Sequence, residues 1–172
     1  SYDYMRQVHE RFTALCPGVA APMQDSHMEE EERAAFLARF DAENADTLAG
    51  FCVLGGLFSE GIDLKGDRLI GTVIVGVGLP QVNPRQEMLR RYYEEQSGCG
   101  FDYAYRYPGM NKVLQAAGRV VRTPQDKGVV LLLDDRFAQP DTARLFPPHW
   151  QHIRYLPGTA ALEAALKGFW DV

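Results

Sequence analysis

Two strongly apolar segments constrain the fold of this chain more than any other feature. They read RLIGTVIVGVG at residues 68–78 and KGVVLLLDD at residues 127–135. Short runs rich in β-branched and other apolar residues are typical of strands that are buried on both faces of a parallel sheet. Helical patterns lie between them, from Pro84 to about Gln96 and over residues 109–122. This alternation predicts βαβ units and an α/β fold.

The rest of the chain continues the same alternation. Apolar spacing, turn residues and capping residues set the expected boundaries. The aromatic stretch within 97–109 is expected to be irregular, with its side chains in the core rather than stacked on bases. Three further helices are predicted: one at 2–15, one that starts at a cap on Asp25 or Ser26 and runs to about Phe40, and one at 159–169. Three further strands are predicted at 19–23, 47–56 and 151–155.

Size and composition indicate one ordinary domain. The chain has 172 residues, of which 46% are hydrophobic and 24% charged, enough to build a core. No run approaches the roughly 18 apolar residues of a membrane span, so we expect a cytoplasmic protein with no membrane partner. The chain does not begin with Met, and we expect it to be a piece of a longer protein.

Cysteine and histidine give no sign of a metal site. The three cysteines, Cys16, Cys52 and Cys99, are far apart in sequence and form no CxxC pair, so we expect reduced thiols. His149 and His152 stand three residues apart without an acidic or cysteine partner nearby. A structural or surface role is therefore the better interpretation of these histidines.

Charge is distributed unevenly along the chain. Residues 1–50 carry four basic and ten acidic side chains, a balance of −6, within a net charge of −5. Residues 85–122 carry seven basic and four acidic side chains, a balance of +3. An anionic partner is therefore expected to bind the second half of the chain.

The segment NKVLQAAGRVVR, residues 111–122, carries three cations and a glutamine but no acidic residue. On a helix, at about 100° per residue, Lys112, Gln115, Arg119 and Arg122 fall within a sector about 80° wide. Two arginines one turn apart present forked donors that suit phosphate oxygens. The segment predicts an anion-binding helix face, and a solvated face paired with acids from elsewhere is the alternative.

A second candidate segment is GGLFSEGIDLKGDRL, residues 55–69, directly after a predicted strand. Ligands bind at the carboxyl ends of parallel strands, and exposed backbone N–H groups there suit anions. Ser59 supplies a hydroxyl, Gly61 a flexible backbone, and Glu60 and Asp63 carboxylates. A plain turn, which Gly, Ser and Asp commonly build, is an equally good interpretation from composition alone.

Several common catalytic motifs are missing from the sequence. There is no GxxxxGK[ST], so the chain has no P-loop, and no GxSxG elbow. The segment VGVGLPQ at residues 75–81 begins like a dinucleotide fingerprint but has Gln81 where the third glycine belongs. An anion that binds this chain is therefore held by residues outside these motifs.

Taken together, the two candidate segments resemble motifs of superfamily 2 helicases. QAAGRVVR at residues 115–122 matches the QxxGRxxR pattern of motif VI, and FSEGIDL at 58–64 resembles motif V of the XPD/DinG branch. GVGLPQVNP and GVVLLLDDRF occur in the order expected for the C-terminal helicase domain of that branch. The resemblance covers about residues 47–146, and the first forty or so residues fit it more loosely.

The resemblance implies a three-layer RecA-like domain with a mostly parallel central sheet and helices on both faces. Residues 1–172 would form a single C-terminal helicase domain of a longer DNA helicase that is linked to DNA repair. In such helicases ATP and Mg²⁺ are held mainly by an N-terminal RecA-like domain of the same chain, and single-stranded DNA crosses both domains. An iron–sulfur cluster, where the family has one, belongs to the first domain, and none of the three cysteines here matches its ligands.

The resemblance also implies roles for individual residues. Arg119 and Arg122 match the arginine fingers that act on the γ-phosphate of ATP, and Gln115 completes the catalytic set. The residues matched to the nucleotide are Gly61, Asp63, Gln115, Arg119 and Arg122. The residues matched to the DNA are Ser59 and Glu60.

Two other functions stay open on the sequence. The chain could be a non-catalytic nucleotide- or phosphate-binding regulatory module, or an interaction domain whose basic helix docks an acidic partner. A P-loop and an acidic box encoded upstream of Ser1 would favour the helicase over both.

Overall fold

The computed structural model of the chain describes residues 1–44, 46–56, 58, 64 and 66–171. Two strands, β1 (Gly71–Val75) and β2 (Val129–Leu133), pair in parallel with Gly71 opposite Val129. The strands predicted at 68–78 and 127–135 are therefore confirmed in their central residues, but the expected burial on both faces is wrong, because Val73, Val75 and Leu133 are 41–55% exposed. Gly76, directly after β1, has a φ of 85° that turns the chain out of the strand.

Two further segments run parallel to each other through isolated bridges. The bridges join Ala20 to Leu48 and Met23 to Phe51. Pro22 interrupts the ladder between them, because proline has no N–H to donate. The segments predicted as strands at 19–23 and 47–56 are therefore paired in parallel, but they do not form continuous strands.

The described residues also form six helices. Those predicted at 2–15, 84–96 and 159–169 are confirmed almost to the residue. The third helix starts after Asn83, whose side-chain oxygen accepts the N–H of Gln86 at 3.0 Å. The helices are α1 (Tyr2–Leu15), α2 (Glu30–Ala38), α3 (Pro84–Ser97), α4 (Tyr107–Ala117), α5 (Pro140–Ala143) and α6 (Thr159–Trp170), and 3₁₀ turns occupy Gly66–Arg68, Asp135–Ala138 and Pro148–Trp150.

Helix α2 begins later than predicted. Its N-cap is Glu29, whose backbone N–H donates to the carboxylate of Glu32 at 2.9 Å in a capping box. Asp25 instead accepts the N–H of His27 at 2.9 Å and closes an earlier turn. The predicted cap at Asp25 or Ser26 is therefore wrong, because the acidic run supplies its own cap.

A π-helical turn, Asp102–Arg106, leads directly into α4, where irregular chain was predicted. The carboxylate of its first residue pairs with the guanidinium of its last. Tyr105 is buried, whereas Phe101 is 45% and Tyr103 is 44% exposed. The expected core packing of this aromatic stretch is confirmed for Tyr105 and wrong for the other two.

The strand predicted at 151–155 is also wrong. The N–H of Ile153 donates to the carbonyl of Trp150 at 3.1 Å, so the segment starts as a turn that continues the preceding 3₁₀ turn. Within the described part of residues 138–172, no strand offers this segment a neighbour. A strand without such a neighbour has no backbone partner for its N–H and C=O groups.

Contacts divide the chain into two units, Ser1–Phe137 and Ala138–Val172. In the first unit α4 packs on β1, and the core between them includes Met110, Val113 and Ile74, each at most 4% exposed. A parallel strand pair with α4 packed on it confirms the predicted α/β class. Within the residues that the structure describes, no helix is both long and apolar enough to span a bilayer.

Candidate functional site

The predicted helix over residues 109–122 ends early, at Ala117. Gly118 is its C-cap, and the Gly118 N–H makes the last helical bond, to the carbonyl of Leu114 at 2.9 Å. Thr123 precedes Pro124, and a residue before proline disfavours helical backbone. We therefore expect the chain to leave the helix before Thr123, and it does so at Gly118, which keeps a right-handed conformation with φ of −68°.

The four polar donors of residues 111–122 thus divide into two groups. Lys112 and Gln115 lie on α4, whereas Arg119 and Arg122 lie beyond its end. The N–H groups of Arg119 and Val120 each donate to the carbonyl three residues earlier, at 3.1 and 3.2 Å, which makes a tight turn. The prediction that all four donors share one helical face is therefore wrong.

The first turn of α4 lies at the carboxyl end of β1. A Cβ on Gly109 would lie 2.5 Å from the carbonyl oxygen of Val77. A Cβ on Gly78, whose φ is 65°, would lie 2.9 Å from both the carbonyl oxygen of Gly109 and a methyl group of Leu54. Glycine at both positions lets the backbones of helix and strand end approach each other closely.

Lys112 lies against the glycine turn that follows the bridged segments. A Cβ on Gly55 would lie 2.9 Å from Lys112 Cδ and 3.3 Å from its Nζ. Gly55 has a φ of 79°, a left-handed conformation that favours glycine. The lysine therefore brings a positive charge to this turn.

A buried glutamine supports the same turn from beneath. Gln24 is 1% exposed, donates from Nε2 to the hydroxyl of Tyr2 at 2.9 Å, and accepts the N–H of Val53 at 3.0 Å. Its Nε2 would lie 3.1 Å from a Cβ on Gly56. Sequence analysis missed Gln24, because a single glutamine after a proline-containing stretch carries no local signal of burial.

Part of the glycine segment lies outside the described residues. Those candidates are Ser59, Glu60, Gly61 and Asp63. Phe58 and Leu64, which flank them, are described and are each 5% exposed. Phe58 packs on Phe36 of α2, with ring centroids 4.6 Å apart. The predicted roles of the four candidates stay predictions.

Asp126 holds the backbone at Arg122. Its Oδ2 accepts the N–H groups of Arg122 and Thr123, both at 2.8 Å. The bond from the Arg122 N–H is the largest cause that holds the pKa of the Asp126 carboxyl below its usual value, and the bond from the Thr123 N–H is the next. The backbone N–H of Gly66 lowers this pKa by a smaller amount. The ionised carboxylate therefore holds the turn at Arg122 through two hydrogen bonds.

Sequence analysis missed this aspartate. The available signal was TPQD, residues 123–126, directly after the second arginine. Aspartate three or four residues from backbone N–H groups commonly closes such a turn.

Arg119 and Arg122 lie on either side of a buried valine at the amino ends of the strands. Val120 is 2% exposed. A Cβ on Gly128, the residue before β2, would lie 2.3 Å from Val120 Cγ1 and 3.1 Å from the carbonyl oxygen of Ile70. Because α4 starts at the carboxyl end of β1, residues 109–122 extend from one edge of the strand pair to the other.

The chemistry that these groups offer is donation of hydrogen bonds and positive charge to an anion. Gln115 is exposed, and Arg119 and Arg122 are each half-buried. Forked guanidinium groups match phosphate oxygens in geometry and charge. In the described part of the chain, no group of three His, Cys, Asp or Glu side chains is placed to hold a metal ion.

Comparison with known proteins identifies similar chains. Residues 1–153 match the family model of the helicase C-terminal domain. The chain is 31% identical over 160 residues to regulator of telomere elongation helicase 1 from Homo sapiens, and this alignment covers 87% of this chain and 13% of that protein. It is 37% identical over 83 residues to the ATP-dependent DNA helicase DinG from Photobacterium profundum, and this alignment covers 47% of this chain and 12% of that protein.

A solved XPD helicase structure matches with a TM-score of 0.64 at 22% identity, covering 84% of this chain and 25% of the solved one. This likeness shows the fold, and the expected RecA-like architecture is confirmed. The chain spans about an eighth of the length of the two curated relatives named above.

Proposed function

Because the chain belongs to the helicase C-terminal domain family, of the XPD and DinG type, we propose that it is the second motor domain of an ATP-dependent DNA helicase. The observation that best supports this proposal is the pair of arginines, Arg119 and Arg122, in the turns directly after α4 and within the residues that match the family. Their forked guanidinium groups suit phosphate oxygens in geometry and charge. In the complete protein these groups face ATP, and Gln115 on α4 completes the catalytic set.

In this proposal Arg119 and Arg122 act as arginine fingers. Phosphoryl transfer develops negative charge on the γ-phosphate oxygens, and a finger that stabilises this charge raises the rate by roughly 10³–10⁵-fold. ATP and Mg²⁺ are held mainly by the N-terminal RecA-like domain of the same protein. The isolated domain therefore binds ATP weakly and does not hydrolyse it.

The proposal extends to the glycine segment and to DNA. Gly61 and Asp63 lie near the nucleotide, and Ser59 and Glu60 contact single-stranded DNA. Because the chain carries a net charge of −5 and shares the DNA track with its partner domain, the domain alone binds single strands weakly and in a salt-sensitive way. We expect the complete protein to act in DNA repair in the cytoplasm.

The test is ATP hydrolysis by the full-length protein with single-stranded DNA. Arg119→Ala and Arg122→Ala should each lower turnover by roughly 10³-fold or more while the protein stays folded by circular dichroism. Arg6→Ala is the matched control, because Arg6 is an exposed arginine on α1 that pairs with Asp3 at 3.0 Å. Turnover that is unchanged in both finger variants would end the assignment of fingers.

A further measurement separates the non-catalytic alternative. If the finger variants lose ATP binding while the wild-type full-length protein shows no DNA-stimulated hydrolysis, the chain is a nucleotide-binding module. Hydrolysis by the wild type that depends on Arg119 and Arg122 excludes that interpretation.

A further inference from the structure

The position of Arg122 raises a question of geometry, because the residue lies five positions after the end of α4. A finger acts only if its guanidinium is held in place, since a misplacement of about 1 Å can cost roughly 100-fold in rate. A helix would fix that position through its regular backbone. Here the turn must fix it instead.

The bonds at this turn converge on one carboxylate oxygen. Asp126 Oδ2 accepts the backbone N–H of Arg122 itself and that of Thr123, both at 2.8 Å. The N–H of Asp126 donates in turn to the carbonyl of Thr123 at 3.1 Å. Because one of the donors belongs to Arg122, the carboxylate acts on the backbone from which the guanidinium extends.

The carboxylate that accepts these bonds is ionised, and its charge strengthens them. Charge-assisted bonds of this kind are shorter and stronger than neutral ones, so the charge of Asp126 matters as well as its shape.

From these contacts we propose that Asp126 is a positioning residue for Arg122, which fixes the backbone of the finger. This inference rests on the proposed function, since it assigns Asp126 a role through a finger. It predicts that removing the carboxylate lowers the turnover number of ATP hydrolysis and leaves the KM for ATP little changed. A carboxylate that only stabilises the fold would lower the melting temperature without this selective loss of turnover.

The test uses the full-length protein and a double-mutant cycle. Asp126→Ala should lower turnover by roughly 10–100-fold, and Asp126→Asn by less, because an amide oxygen still accepts both N–H groups. In the Arg122→Ala background, Asp126→Ala should cause no further loss. Asp25→Ala is the matched control, because Asp25 accepts the N–H of His27 at 2.9 Å in an exposed turn on a different segment.

The outcomes separate the inference from the function on which it rests. If Arg122→Ala leaves turnover unchanged, the proposed finger is wrong, whatever Asp126 does. If Arg122→Ala lowers turnover but Asp126→Ala does not, or if the two losses multiply in the double variant, Asp126 does not act through Arg122. Should Asp126→Ala fail to fold, the comparison rests on Asp126→Asn, and a turnover equal to wild type in that variant would overturn a role for the charge.

Discussion

The two ends of the polar segment, Lys112 to Arg122, are held in place in different ways. Gln115 and Lys112 are carried by a helix whose opposite side packs Val113, at 0% exposure, into the core. Arg119 and Arg122 lie in turns, where hydrogen bonds rather than helical geometry set the backbone. The helical end therefore depends on apolar packing spread over many contacts, and the arginine end on a few specific ones.

The difference has a consequence for mutation. At the helical end a substitution should change stability before it changes the geometry of the donors, because the helix moves as a unit. At the arginine end a substitution of one contact should move the guanidinium groups directly.

The largest effect is expected from Gly128→Ala, at the arginine end. The new Cβ would lie 2.3 Å from Val120 Cγ1 and 3.1 Å from a backbone oxygen, so either Val120 or the start of β2 must move. We expect a loss of about 1–3 kcal/mol in the free energy of unfolding, measured by urea denaturation. We also expect a loss of ATP turnover in the full-length protein, since Val120 lies between the two arginines.

Gly168→Ala is the control for this change, because nothing lies within 4 Å of a Cβ at Gly168 in α6. Alanine should leave stability unchanged or raise it by up to about 1 kcal/mol. A Gly128→Ala variant as stable as the control would show that the turn after α4 is looser than the structure indicates.

A smaller effect is expected from Gly55→Ala, at the helical end. Its φ of 79° strains any residue with a Cβ, and that Cβ would meet Lys112 Cδ at 2.9 Å. The backbone should cost about 1–2 kcal/mol, whereas the lysine can move aside cheaply. Urea denaturation of Gly55→Ala, Lys112→Ala and the double variant measures the two contributions separately.

If the backbone conformation dominates, Lys112→Ala will not restore the stability lost in Gly55→Ala. Full restoration would show that the contact with the lysine, rather than the left-handed φ, requires glycine here. Gly18→Ala serves as the control, since a Cβ at Gly18 has nothing within 4 Å.

The smallest effect concerns pH. The pKa of Asp126 is lowered in the folded protein, so this group stabilises the fold at pH values above the usual aspartate pKa of about 3.9. That contribution is lost as the pH falls through the lowered folded pKa. The difference in melting temperature between wild type and Asp126→Asn should therefore be constant from pH 7 to 5 and shrink below about pH 4. A difference that grows on acidification would contradict the assigned bonds.

Much of the fold was predictable because its signals are local. The apolar runs of β1 and β2 and the Asn83 cap of α3 each identify an element within a few residues. The strand predicted at 151–155 failed because a strand needs a neighbour, which no local pattern reports. The predicted helix ran past Ala117 to residue 122, although Thr123-Pro124 and Gly118 are both sequence signals of a helix end.

The site was predictable in its composition but not in its geometry. Gln115, Arg119 and Arg122 could be selected from their pattern, and their placement depends on contacts with distant residues. Gln24, for example, bonds to the backbone of Val53 from 29 positions away in the sequence. Asp126 is only four residues from Arg122 in the sequence. Its bond to the backbone of Arg122 depends on α4 ending before Arg122, which the sequence pattern did not predict.

The central claim, that Arg122 acts on the transition state of ATP hydrolysis, is tested most directly by two affinities of the full-length protein. ADP–aluminium fluoride mimics the transferring phosphoryl group, and ADP lacks it. The account predicts that Arg122→Ala weakens binding of ADP–aluminium fluoride by at least about 100-fold and that of ADP by less than about threefold. Equal weakening of both ligands, or of neither, would contradict it.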